Sequence, residues 1–150
     1  MSTLLLLIQS ISENIALFCC AMFAGGSVYI SLVEDPVAGE RGPELAGVYM
    51  LTAHPRPAVF QAVFGAFAAL AGMLTAGSGG SIWWAVGGLL LAAAALMHSL
   101  VALPEMRRLR GIDVTADPLA AADVFTRLTR LHAGISLASL AALLIFILHA

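Results

Sequence analysis

The chain has 150 residues, of which 61% are hydrophobic and only 11% are charged, and its formal net charge is −2. A soluble domain of this size is about half apolar and about a quarter charged, so the composition excludes an ordinary soluble domain and indicates an integral membrane protein. The basic residues other than histidine are all arginines, and they form no basic surface of the kind that binds nucleic acid.

Four long apolar runs predict four membrane spans, at about residues 14–33, 58–76, 82–103 and 131–148. The first helix is expected to break at Glu34-Asp35-Pro36, and the third at Pro104. The fourth is expected to begin at Pro118, with Asp117 as its N-cap, and to continue to His149. The predicted fold is therefore all-α, a transmembrane four-helix bundle formed by a single domain over residues 1–150.

The arginines are distributed unevenly along the chain. All seven lie in the first and third connections or at the adjoining helix ends, and the short second connection and both termini hold none. The positive-inside rule places the arginine-bearing connections in the cytoplasm. The sequence thus predicts a multi-pass protein of a bacterial cytoplasmic membrane, in contact with the lipid bilayer and with both termini outside.

Polar residues collect at the same end of the predicted spans. Ser27, Ser31 and Glu34 are spaced i, i+4 and i+7, so they share one face of the first helix. A polar stripe that ends in a carboxylate is costly in a membrane unless it faces the interior of the bundle. The cytoplasmic ends of the other spans contribute His54, Gln61, His98 and His132. We therefore expect a polar pocket that opens to the cytoplasm.

Several chemistries are compatible with this group of residues. Glu34, His98 and His132 would suit a non-haem metal site, whereas His98 and His132 alone would suit the two axial positions of a haem b. Without a metal, a histidine and a carboxylate could remove a proton from an aromatic or quinone-like small molecule. Any one of these residues would also be tolerated at a membrane surface as a hydrated group without a function.

Three segments resemble the anthrone-oxygenase-like family of small four-span membrane proteins, a domain-of-unknown-function family. They are FAGGSVYISLVEDP at residues 23–36, LPEMRRL at residues 103–109 and RLHA at residues 130–133. The sequence departs from the family pattern at Asp35, where many members have histidine, and at Gly134, where arginine is expected.

The resemblance implies an oxidoreductase that acts on an aromatic or quinone-like substrate. Glu34, His132 and His54 would be its catalytic residues, and Ser31, Gln61 and Tyr29 would contact the substrate. Different interpretations are a non-catalytic accessory subunit of a larger membrane complex and a small haem-binding membrane protein that uses His98 and His132. The small-residue face formed by Gly65, Ala69 and Gly72 is compatible with the accessory role or with a homo-oligomer.

Overall fold

The structure, a computed structural model, describes residues 3–42 and 55–150. These ranges contain four helices that are long and apolar enough to cross a membrane. They are α1 (Thr3–Glu40), α2 (Pro55–Gly77), α3 (Ile82–Arg110) and α4 (Pro118–His149). The prediction of an all-α, four-span membrane protein is confirmed, whereas its orientation in the membrane remains a prediction.

The four helices form an antiparallel bundle in which each packs against its neighbours in sequence and α4 closes against α1. Large apolar side chains cover the outer surface, and Leu32, Leu100 and Leu148 are each about 70% exposed. Buried polar side chains, among them Gln61 and Thr75, lie inside. Because a soluble bundle has the opposite distribution, the outer surface is suited to contact with lipid.

Glycines on α2 and α3 make room for a large aromatic side chain of α4. The ring of Phe146 is completely buried and stacks on Trp84, with 4.8 Å between the ring centroids. A Cβ atom at Gly72 would lie 2.9 Å from Phe146 Cζ, and one at Gly87 would lie 2.9 Å from Phe146 Cδ1. Gly72 and Gly87 therefore allow the helices to close around the ring, as expected for small residues at interfaces between membrane helices.

The prediction that α1 and α3 end near their prolines is wrong. The helices continue to Glu40 and Arg110, and each contains a five-residue π-helical passage, Ile30–Glu34 in α1 and His98–Ala102 in α3. In each passage the wider turn is closed by an N–H to C=O bond over five residues, from Asp35 to Ile30 and from Leu103 to His98. Each proline follows in the first turn of the next α-helical segment, where its missing N–H costs little.

The two passages also share a sequence pattern. Residues 31–36 and residues 99–104 both read Ser-Leu-Val-x-x-Pro, and both lie at the end of the bundle that carries the arginines. At this end a second apolar core joins α3 to α4; its buried members are Ala102, Met106, Leu109, Ala121, Val124 and Leu128. The same backbone feature therefore occurs in the first and third helices, where each passes from the membrane span to the arginine-bearing end.

The connection after α2 and the start of α4 agree with expectation. The chain turns after Gly77 with Gly79 at φ 113°, a conformation that favours glycine, and Ser81 caps α3. The backbone N–H of Ala120 donates to Asp117 Oδ1 at 3.0 Å, so Asp117 is the N-cap of α4 as predicted.

Candidate functional site

A narrow internal cleft lies where the four helices approach one another near their arginine-bearing ends. Its lining residues are Ser27, Ile30, Gln61, His98, His132 and Ile135. The side chains close on one another so tightly that no water-sized space remains between them. The structure thus brings together Gln61, His98 and His132, which the sequence analysis selected, from three different helices.

The centre of the site is a buried histidine–aspartate pair between α1 and α4. His132 Nδ1 lies 3.1 Å from Asp35 Oδ1 and 3.0 Å from Asp35 Oδ2. The two residues are only 3% and 4% exposed. An ionised carboxylate only accepts hydrogen bonds, so Nδ1 of His132 is the donor when Asp35 is ionised. This contact fixes the orientation of the imidazole ring.

Asp35 was not predicted to have a role at the site. The predicted carboxylate was Glu34, which is buried beside Asp35 at the end of the π-helical passage. The missed signal was the spacing: Ser27, Ser31 and Asp35 follow one another at intervals of four residues, which also indicates one helix face. Both carboxylates therefore enter the interior, and Asp35 provides the observed hydrogen bonds to His132.

A hydrogen-bonded chain of uncharged groups connects α1 with α2. Gln61 Nε2 donates to Ser27 Oγ at 3.1 Å, and Ser27 Oγ donates to the backbone oxygen of Phe23 at 2.9 Å. These bonds fix the amide of Gln61 on one wall of the cleft. The Gln61 side chain is therefore buried and held in one orientation. A group that recognises a ligand needs a fixed orientation of this kind.

Two serines link α1 with α4 on the lipid-facing side of the site. Ser31 Oγ and Ser136 Oγ are 2.8 Å apart. They also line a groove of about 270 Å³ on the outer surface, whose other walls are Val28, Leu32, Ala133, Leu137 and Leu140. His132 precedes Ser136 by four residues, so the two lie on the same face of α4. An apolar groove thus approaches the polar interior from the bilayer side.

The remaining predicted site residues do not all reach the cleft. Tyr29 is 52% exposed and lines neither the cleft nor the groove. His54 lies outside the described residues. Its predicted catalytic role, like those of Glu34 and His132, stays a prediction, and so do the substrate contacts predicted for Ser31, Gln61 and Tyr29.

The geometry of the site bears on each of the predicted cofactors. Within residues 3–42 and 55–150, no three histidine, cysteine, aspartate or glutamate side chains form a group that could hold a metal ion. A haem between His98 and His132 would need a cavity of roughly 300 Å³ or more, whereas the cleft has no water-sized space. In this conformation the residues therefore do not fit a bis-histidine haem.

No protein-family model, no curated protein and no solved structure matches this chain. What the structure establishes is a four-helix integral membrane protein with a buried histidine–aspartate pair close to a lipid-facing groove.

Proposed function

We propose that the protein binds a small, lipid-soluble molecule with an acidic hydroxyl group, of the phenol or quinol kind, and removes its proton with His132. The observation that carries the proposal is the pair formed by His132 and Asp35, buried near the arginine-bearing end of a membrane bundle. Ionisable side chains inside membrane proteins are costly to bury and usually mark a functional site. Two such residues in direct contact are best explained by a role in proton transfer.

The geometry supports a division of roles within the pair. Nδ1–H of His132 donates to Asp35, so Nε2 receives the substrate proton and Asp35 stabilises the imidazolium that forms. Asp35 also fixes the tautomer and the orientation of the ring. The cleft is closed in this conformation, so its lining side chains must move apart before a substrate reaches His132. Gln61, which is bonded to Ser27, would then orient the substrate through its amide group.

The groove between α1 and α4 supports the choice of substrate class. It holds about 270 Å³ and opens on the lipid-facing surface, and among the described residues its polar wall consists of Ser31 and Ser136. A planar aromatic molecule dissolved in the bilayer would reach the site along this groove, and its hydroxyl would replace one serine as the hydrogen-bond partner of the other. The resemblance implies an oxidoreductase, whereas the step proposed for this site is the proton transfer alone.

The test uses 4-nitrophenol, which absorbs visible light as the phenolate, as a probe of proton removal. Purified protein in detergent is mixed with the probe about one unit below the pKa of the phenol, and the phenolate band is recorded. The wild type should increase this band, and His132→Gln and Asp35→Ala should lose the increase. His149→Gln is the matched control, because His149 lies at the opposite end of the bundle. An equal band in all four proteins, or no increase with the wild type, would contradict the proposal.

A second candidate function is that of an accessory subunit, and the surface between α2 and α3 favours it. A groove of about 430 Å³ runs between these helices, and most of the side chains that line it are small. They are Ala62, Ala66, Ala69, Leu70, Ala92, Ala95, Leu96 and Ser99. Such surfaces let another membrane helix approach closely. Ala66→Trp should then release a stoichiometric partner during purification, whereas Ala150→Trp at the chain end should not.

A further inference from the structure

A separate cleft lies between α3 and α4 at the arginine-bearing end of the bundle. It has a volume of about 380 Å³ and is lined by Val101, Glu105, Arg127, Arg130 and Leu131. Glu105 follows Val101 by one helical turn, and Arg127 precedes Leu131 by one turn. Because α3 and α4 are antiparallel, both apolar residues lie on the membrane side of the cleft and the charged residues lie on its outer side.

The acidic groups near this cleft are already paired with arginines of their own helices. Asp123 is 2.9 Å from Arg127, and Glu105 is 3.8 Å from Arg108. No ion pair joins Arg130 to another residue in the part of the chain that the structure describes. The cleft therefore has an excess of positive charge at its outer side.

We propose that this cleft binds the headgroup of an anionic membrane phospholipid, with the first part of an acyl chain on Val101 and Leu131. A guanidinium can give two parallel hydrogen bonds to a phosphate, and Arg127 and Arg130 are three residues apart on one face of α4. Basic pockets between membrane helices at this depth are suited to anionic headgroups. This lipid site does not depend on the proton-transfer function, since none of its residues lines the narrow internal cleft that contains His98 and His132.

Native mass spectrometry of the detergent-solubilised protein tests the proposal with two lipids that share their acyl chains, phosphatidylglycerol and phosphatidylcholine. One arginine near an anionic lipid contributes about 1 kcal/mol, which is about fivefold in affinity. Arg127→Gln/Arg130→Gln should therefore weaken phosphatidylglycerol binding by about 5- to 25-fold, because Asp123 offsets part of the charge of Arg127. The control, Arg41→Gln/Arg110→Gln, removes the same charge at the same end but outside the cleft, and it should weaken binding by less than about fivefold.

Three results would overturn the proposal. Equal binding of the two lipids would show that the headgroup charge is not recognised. An equal loss in the two double variants would show that only the total charge matters. Inorganic phosphate that binds as tightly as the lipid would show that Val101 and Leu131 contribute nothing. Arg130 is exposed, so Arg130→Gln alone should keep the elution volume of the wild type. Its affinity for phosphatidylglycerol should still fall by about fivefold, which separates an effect on binding from an effect on folding.

Discussion

Replacing Gly87 by alanine should destabilise the bundle, because the added methyl group would collide with the ring of Phe146. The new Cβ would lie 2.9 Å from Cδ1 and 3.1 Å from Cζ of that ring, and closer still to Cε1. Carbon atoms in favourable contact are about 3.5–4.0 Å apart, so the ring would have to move by about 1 Å. Trp84 stacks on one side of the ring and Gly72 lies against its edge, which leaves little room for that movement.

The expected cost follows from two opposing effects. Overpacking a well-filled core costs about 1–3 kcal/mol, whereas alanine is better than glycine inside a helix by up to about 1 kcal/mol. Gly134→Ala is the matched control, since a Cβ there would meet nothing within 4 Å. The free energy of unfolding should therefore be about 1–3 kcal/mol lower for Gly87→Ala than for Gly134→Ala.

Reversible unfolding in mixed micelles of sodium dodecyl sulfate and a mild detergent, followed by tryptophan fluorescence, measures this difference. Phe146→Leu would remove part of the ring that the methyl group meets, so the cost of Gly87→Ala should be smaller in that background. If Gly87→Ala is as stable as Gly134→Ala, or if Phe146→Leu leaves its cost unchanged, the tight fit around Phe146 is refuted.

Three further predictions concern hydrogen bonds. Asp35→Ala removes the acceptor from the buried ring of His132 and should lower the free energy of unfolding by about 1.5–3 kcal/mol, whereas Asp35→Asn keeps an acceptor oxygen and should cost less. Ser12 Oγ and Thr75 Oγ1 are 2.7 Å apart and buried, so a double-mutant cycle should show that Thr75→Val costs about 1 kcal/mol less when Ser12→Ala is also present. The side-chain hydroxyl of Thr115 donates a hydrogen bond to Asp113 and holds the pKa of that carboxyl below its ordinary value. The resulting stabilisation of the turn is present at neutral pH and is lost as the pH falls through the lowered pKa. Thr115→Ala should therefore raise the pKa of Asp113 in an NMR titration.

The sequence was sufficient for the architecture because hydrophobicity alone determines which segments can cross a membrane. The four apolar runs predicted four spans, and the structure has four helices of that kind in its described residues. Grouping the polar residues at one end also predicted that Gln61, His98 and His132 lie close together, as they do in the cleft. These inferences needed only helix spacing and the cost of burying polar groups in lipid.

The regular α-helical period did not distinguish Asp35 from Glu34 as the partner of His132. The face of α1 was assigned with the regular period of an α-helix, which placed Glu34 in line with Ser27 and Ser31. The π-helical passage widens the turn just before the carboxylates, and Asp35 contacts His132. Proline was interpreted as the end of the helix, although a wider turn immediately before it accommodates the missing donor.

Each π-helical passage also changes the direction in which the side chains after it point. A π-helical turn is an α-helical turn with one extra residue, so everything beyond it is rotated by about 100° relative to the preceding part of the helix. In α3 the passage lies between Leu91, which is buried in the bundle core, and Met106 and Leu109, which are buried in the second core. One continuous helix therefore contributes to both cores, and deletion of one residue from the passage would rotate Met106 and Leu109 by about 100° relative to Leu91.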